Sequence, residues 1–91
     1  MQTILTLEQE AVPIVKSSLV LKHKALEFNL DRYQKRLTAF EKKHKMTSEK
    51  FKKKFIAGEM GDDQEWFDWE FILDAYQETK RQLDLLDNVR L

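Results

Sequence analysis

The stretch of sequence that decides the fold is residues 19–44, LVLKHKALEFNLDRYQKRLTAFEKKH. A series of mostly apolar and aromatic residues recurs in it at alternating steps of four and three: Leu19, His23, Leu26, Leu30, Tyr33, Leu37, Phe40 and His44. In an α-helix of 3.6 residues per turn, this spacing places all eight side chains on one face. The stretch therefore predicts a long amphipathic helix with a partner helix along that face.

A second series with the same rhythm lies near the C-terminus. It consists of Trp69, Ile72, Tyr76, Thr79, Leu83 and Leu86. Between the two series, Thr47 or Ser48 can cap the start of a short helix, and Gly58 can end it in the left-handed conformation. The sequence therefore predicts an all-α fold, in which a long antiparallel helical hairpin contains a short connecting helix.

The predicted elements follow from these series and from the few residues that break helices. They are a long helix over 14–45, a short helix over 48–57 and a long helix over 62–89, within one domain of residues 1–91. Asp62 and Glu65 have the spacing of a capping box at the start of the last helix. Residues 1–13 are ambiguous, and we expect a short helix or an extended arm with a kink at Pro13, because proline interrupts a continuous helix.

Composition narrows the classes of protein to which the chain can belong. Its 91 residues include two glycines, one proline and no cysteine. Without cysteine there is no disulfide and no thiolate metal site, so a cytoplasmic location is expected. No uninterrupted apolar stretch exceeds three residues, as at 19–21. A bilayer-spanning helix needs about 20 apolar residues, so no membrane association is expected.

Helix length bears on assembly. A helix over 14–44 would be about 46 Å long, whereas a compact chain of this size has a radius of gyration of about 12 Å. Two such helices bury one face each and leave their other faces open. Because a domain of this size is also marginally stable by itself, we expect a homodimer.

Positive and negative charges occupy different parts of the chain. Residues 41–54 contain seven lysines and two glutamates, whereas residues 59–74 contain seven carboxylates and no lysine or arginine. Domains that bind nucleic acid normally carry a basic excess without such an acidic neighbour. We therefore expect the two blocks to pair within a subunit or between two. A DNA-binding autoregulator remains a distant alternative that requires residues 3–7 to pair between subunits as a ribbon.

No residue pattern predicts catalysis, a metal or a cofactor. The clustered carboxylates are Asp62, Asp63, Glu65, Asp68 and Glu70, and they lack the register of a calcium loop. On one straight helix, His23 and His44 would lie about 31 Å apart, too far to share a metal ion. The sequence also lacks a glycine-rich phosphate loop and a nucleophile elbow. We therefore expect a protein that is not an enzyme.

The aromatic cluster over residues 66–71, WFDWEF, is the most unusual local feature. Helical geometry places Trp69 in the second series with Trp66 beside it, and places Phe67 and Phe71 nearly opposite. Both sides could be core, packed on the first long helix and under the short helix. Alternatively, the opposite side anchors a protein partner. The candidate partner-binding residues are Trp66, Phe67, Phe71, Asp63 and Glu65.

Residues 40–77 resemble a pattern found in small helical proteins of bacteria and archaea, F-E-K-K-Y-G-M-S-S-E-E-F-x-x-x-F-x-x-G-E-x-G-D-x-x-x-F-x-E-W. The matching positions are Phe40, Glu41, Lys42, Lys43, Met46, Ser48, Glu49, Phe51, Phe55, Gly58, Glu59, Gly61, Asp62 and Trp69. The chain departs from it at 44–45, where His-Lys replaces Tyr-Gly, and at 66–69, where the aromatic-acid-Trp spacing is only approximate.

Proteins with this pattern are often encoded beside a toxin and are taken to be antitoxin components. The resemblance thus implies an antitoxin-type protein that binds and neutralises a toxin through an aromatic and acidic helix surface. Such an inhibitor needs an amphipathic element rather than catalytic residues. The alternative is a non-catalytic helical dimer that serves as a structural or adaptor module.

Overall fold

The computed structural model describes residues 4–91, and within them it contains helices and no β-strand. Helix α1 spans Val12–His44, α2 spans Ser48–Ile56 and α3 spans Gln64–Asp87. A short 3-10 turn, Gln9–Ala11, precedes α1. The all-α prediction is confirmed, with one helix much longer than the others. The corresponding ranges predicted from the sequence are 14–45, 48–57 and 62–89.

The two apolar series form the contact between α1 and α3. Every residue of the first series is buried or half-buried, and Leu26 and Leu37 are the most deeply buried. The second series is likewise covered, and the hydroxyl of Thr79 donates to the carbonyl of Ala75 at 2.8 Å. A polar residue is tolerated there because its donor is satisfied inside its own helix.

Two histidines of α1 contact the two ends of α3. His23 Nε2 lies 2.9 Å from Asp87 Oδ1, and His44 Nε2 lies 3.0 Å from Glu65 Oε1. The early part of α1 therefore lies beside the end of α3, and its late part beside the start of α3. The molecule is elongated, with a radius of gyration of 17.9 Å and extents of 55 × 28 × 18 Å.

The turn between α1 and α2 is defined by backbone conformation and caps. Lys45 ends α1 with φ 52°, in the left-handed region. Thr47 then caps α2 by accepting a hydrogen bond from the backbone of Lys50 at 3.1 Å. Glycine is favoured in the left-handed region because it has no Cβ. The resembling pattern has glycine at the position of Lys45, and here the lysine carries the cost of this conformation.

Pro13 corrects the prediction for the N-terminal segment. It lies in the first turn of α1, where its missing N–H has no helical partner to lose, so it opens the helix instead of kinking an arm. Residues 4–8 have no regular secondary structure, and the side chains of Ile4 and Leu5 are exposed. The predicted arm also includes residues 1–3, which lie outside the described part of the chain.

The predicted cap of α3 is displaced by one residue. Asp63, and not Asp62, accepts a hydrogen bond from the backbone of Glu65 at 2.9 Å. With Asp63 as the N-cap, the position for the second half of a capping box is Trp66, so no capping box forms. Glu65 instead contacts Lys43 and His44 of α1. None of the helices within residues 4–91 combines the length and apolarity that crossing a bilayer requires.

The left-handed backbone conformation of Lys45 can be tested by substitution with glycine. We expect Lys45→Gly to raise the free energy of unfolding by about 1 kcal/mol, because a side chain in this region costs roughly that much. In Lys42→Gly, the same change within the last helical turn of α1 should lower it by about 1 kcal/mol. Urea unfolding followed by circular dichroism measures both. Equal effects in the two variants would contradict the assigned backbone conformation.

The bridge at His23 generates a pH prediction. Its Nδ1 lies 2.8 Å from Glu27 Oε1 while its Nε2 contacts Asp87. Only an imidazolium donates from both nitrogens. The hydrogen bond to Asp87, followed by that to Glu27, raises the pKa of His23 above 6.5. The bridge therefore stabilises the fold fully below pH 6.5, and this stability is lost as pH rises through the raised pKa.

NMR titration of the His23 ring should give a pKa above 6.5. Urea unfolding at pH values between about 6 and 9 should show wild-type stability falling relative to His23→Gln, which cannot gain or lose this proton. Asp87→Asn should bring the His23 pKa back towards its ordinary value. A wild-type profile parallel to that of His23→Gln would refute the bridge.

Candidate protein-binding surface

The aromatic cluster is organised around Trp69, which is completely buried. Its ring stacks on Phe51 of α2 with centroids 4.0 Å apart, and on Phe40 and His44 of α1 at 5.4 Å each. Its indole N–H donates to the hydroxyl of Ser48 at 3.0 Å. One side chain of α3 thus contacts both other helices, which makes this end of the molecule a rigid platform.

Trp66, a predicted partner-binding residue, lies on the inward side of α3. Its ring contacts His44 with centroids 4.6 Å apart and Phe51 at 6.0 Å, and the residue is half-buried. These contacts make Trp66 a border residue between the core and the surface. Its role at the surface is to support neighbouring side chains.

Phe67 and Phe71 lie on the outer side of the same helix. The ring of Phe67 meets the face of Phe55 edge-on, with centroids 5.6 Å apart, and Phe67 remains 45% exposed. Phe71, one turn further along α3, is 66% exposed. The alternative in which the short helix covers both rings therefore fails, since α2 reaches Phe67 only through Phe55 and leaves Phe71 open.

The two acidic candidates have partners within the chain. Asp63 caps α3, as described above, and is exposed. Glu65 accepts hydrogen bonds from Lys43 Nζ at 2.9 Å and from His44 Nε2 at 3.0 Å. Hydrogen bonds from Lys43 and then His44 lower the pKa of Glu65. Glu65 is thus a charged tether between α1 and α3, and Asp63 offers the more accessible charge.

A second ion-pair group joins α2 to α3. Lys52 Nζ donates to Glu70 at 2.8 Å and to Asp74 at 3.2 Å. Burial opposes the charge on Lys52, but the two hydrogen bonds outweigh it and raise the pKa of Lys52. Members of the basic and acidic blocks therefore pair within one subunit. At the start of α3, Asp63 and Asp68 form no ion pair within the described residues. They lie near the exposed side chains of Phe67 and Phe71.

Two residues that support this surface, Ser48 and Phe55, are not among the candidate site residues predicted from the sequence. Ser48 looks like a cap, yet its hydroxyl accepts from Trp69 and its backbone N–H donates to Glu41 Oε2 at 2.8 Å. Phe55 supports Phe67. The signal that could have identified them is the fixed distance along the chain from 48 to 69 in the resembling pattern, where a Ser and a Trp recur together.

The described side chains form no metal-binding cluster. Within residues 4–91, no group of three or more histidine, aspartate or glutamate side chains is placed to hold a metal ion. No buried polar side-chain atom in this range lacks a hydrogen-bond partner. On this part of α3 the exposed Phe67 and Phe71 lie near the exposed acidic residues Asp63 and Asp68.

A scan against models of known protein families, a search of curated proteins and a search of solved structures each find no match to this chain. What the surface binds therefore has to follow from its own shape and charge.

Proposed function

We propose that this chain is an antitoxin-type protein that binds and neutralises a partner protein through the outer face of α3. The observation that carries the proposal is the exposure of Phe71, at 66%, two residues from Trp69, which is at 0%. Large aromatic side chains that project from a rigid base are typical anchors of protein interfaces. The resemblance over residues 40–77 adds the expectation that the partner is a toxin.

The ordered conformation of the Phe67 ring supports its inclusion in the proposed interface. Its edge-on contact with Phe55 fixes the ring while 45% of the residue stays open to solvent. A side chain that is already ordered loses little entropy when a partner covers it. Phe67 and Phe71 together would therefore form the centre of the interface, with Trp66 at its inner border.

The charge around this patch favours a basic partner. Asp63 and Asp68 are exposed at the start of α3, where Asp68 accepts a hydrogen bond only from the nearby Gln64. Exposed charges at the border of an interface chiefly raise the association rate and exclude wrong partners. A toxin that handles RNA carries the complementary basic surface, and covering that surface would require no catalytic residue from this chain.

The proposal includes an assembly. We expect α1 and α3 to form an antiparallel hairpin, which the contacts of His23 with Asp87 and of His44 with Glu65 support. We also expect a cytoplasmic homodimer, because large apolar side chains remain exposed on the outer faces of α1 and α3. In this arrangement α3 is available to the partner and α1 to a second copy.

A second candidate is a helical dimer that serves as a structural or adaptor module and has no toxin partner. The observation that favours it is the exposure of Ile14, Leu21 and Phe28, all on α1 and away from the acidic patch. A protein that only self-associates needs the exposed residues of α1 and assigns no role to Phe67 and Phe71. Substitutions of the exposed side chains on α1 and, separately, on α3 therefore distinguish the two functions.

The first test uses Phe71→Ala and Phe67→Ala. Each should weaken binding of the partner, tested as the product of the adjacent reading frame, by about 2 kcal/mol or roughly 30-fold in Kd. Isothermal titration calorimetry measures binding, and growth rescue on co-expression measures neutralisation. Helicity should stay intact because Phe71 contributes little to the core.

The control is Leu85→Ala, which removes an exposed apolar side chain of the same helix about 21 Å along its axis from Phe71. It should bind like the wild type. If Phe67→Ala and Phe71→Ala bind and rescue as well as Leu85→Ala, the outer face of α3 is not the interface.

The second test isolates the charge of Asp63 from its capping role. Asp63→Ser keeps an N-cap of similar strength and removes the negative charge. The variant should unfold like the wild type but associate with a basic partner more slowly and with a weaker salt dependence, with little change in dissociation rate. Stopped-flow association at two ionic strengths measures this effect. An unchanged association rate would mean that Asp63 serves only the helix.

A further inference from the structure

The outer face of α1 carries a regular apolar ridge. Ile14, Leu21 and Phe28 are 67%, 67% and 64% exposed, and they are spaced seven residues apart. At about 100° per residue, they lie roughly opposite the series that packs against α3. Neither α2 nor α3 reaches this face. The Arg32 guanidinium of the same helix lies 5.7 Å from the centre of the Phe28 ring, and the three large side chains stay mostly exposed.

Small residues follow the first two large ones along the ridge. Ser18 and Ala25 lie four residues after Ile14 and Leu21, Arg32 lies four residues after Phe28, and Ala39 continues this face seven residues beyond Arg32; all four are exposed. The Ser18 hydroxyl already donates to the carbonyl of Ile14 at 2.9 Å, so it brings no unsatisfied donor to a contact. Over residues 14–28, the ridge therefore has the alternation of large and small side chains that lets two helices approach closely and interdigitate.

We propose that a second copy of this chain docks on the ridge, with the two α1 helices antiparallel. The pairing that fits best places Phe28 on the partner's Ala25, Leu21 on the partner's Arg32 stem and Ile14 on the partner's Ala39. The layers of Phe28 and Ile14 then combine a large apolar side chain with a small one, and the layer of Leu21 combines it with an aliphatic stem.

Charge complementarity selects this register. In it, Lys24 of one copy lies beside the partner's Asp31, and symmetry provides the pair twice. Both residues are exposed on the same flank of the ridge, and Asp31 also pairs with Lys35 of its own chain at 3.0 Å. In the register one heptad shorter, with Leu21 on the partner's Ala25, the two Lys24 side chains would face each other and repel. The register with Phe28 on the partner's Ala25 is therefore favoured.

A parallel dimer fits the ridge less well. In register, it would place Phe28 on the partner's Phe28 and Ala25 on the partner's Ala25. Wide layers would then alternate with narrow ones, which prevents close packing along the helix. The antiparallel pair has layers of more even width, because large side chains face small ones or aliphatic stems.

This inference rests on the self-association included in the proposed function and assigns it to one surface. It is independent of the partner-binding role of α3. The two can fail separately, because Phe28 belongs to the ridge and Phe71 to the candidate protein-binding surface, and both are exposed phenylalanines of similar accessibility.

The first experiment compares Phe28→Asp with its matched control Phe71→Asp. Light scattering should give the wild type and Phe71→Asp about twice the chain mass of 10.9 kDa at micromolar concentration. Phe28→Asp should give a single chain mass with unchanged helicity. A monomeric wild type would overturn self-association and this surface together. A dimer that dissociates with Phe71→Asp but survives Phe28→Asp would overturn the ridge alone.

The second experiment determines orientation and is made simple by the absence of native cysteine. With a short bismaleimide, Ala25→Cys should cross-link to itself because it lies next to the two-fold axis. Ile14→Cys alone should not cross-link, but a mixture of Ile14→Cys and Ala39→Cys should give a cross-linked heterodimer. Self-cross-linking of Ile14→Cys would mean a parallel pair, and failure of both Ala25→Cys and the mixture would mean that two copies do not pair through the ridge. Either result overturns the proposal.

Discussion

The buried hydrogen bond from the Trp69 indole to the Ser48 hydroxyl is the interaction on which the rest of the structure depends. A completely buried N–H without an acceptor would be costly, so Trp69 can enter the core only where Ser48 meets it at 3.0 Å. Ser48 is held in turn by Glu41, which accepts its backbone N–H. Glu41, Ser48 and Trp69 belong to three different helices. The need of the buried Trp69 indole N–H for an acceptor therefore fixes how α1, α2 and α3 pack together.

Charge reinforces this arrangement and explains why the acidic block is only partly available for binding. Glu65 is tied to Lys43 and His44, and Lys52 is tied to Glu70 and Asp74. Most of these side chains are partly exposed, so each pair contributes little to stability by itself. Their main effect is to orient α2 and α3, which leaves the free acidic charge at the start of α3 beside two exposed phenylalanines.

The elongated shape leaves two apolar outer faces with different chemistry. The face on α3 is aromatic with an acidic border, which suits a basic partner of another kind. The ridge on α1 carries the exposed Ile14, Leu21 and Phe28, and in the proposed antiparallel dimer Lys24 would lie beside the partner's Asp31. A self-complementary face and a face of one charge are what a protein needs if it is to dimerise and still bind something else.

The sequence by itself determined the helices, because the four-and-three spacing of Leu26, Leu37, Trp69 and Leu83 permits burial only along one helical stripe. It also indicated the left-handed end of α2 at Gly58, since glycine has no Cβ to strain. Tertiary structure alone decided which outer side chains stay exposed and what the acids do. Phe67 and Phe71 have the same residue type and nearly the same helical angle, yet Phe55 contacts Phe67 while Phe71 stays 66% exposed. Beside Phe71, α2 meets α3 through Lys52, which pairs with Glu70 and Asp74 and leaves the Phe71 ring open. Likewise Asp63 rather than Asp62 caps α3, and the Glu65 side chain pairs with Lys43 and His44 on another helix, which spacing along one chain segment cannot reveal.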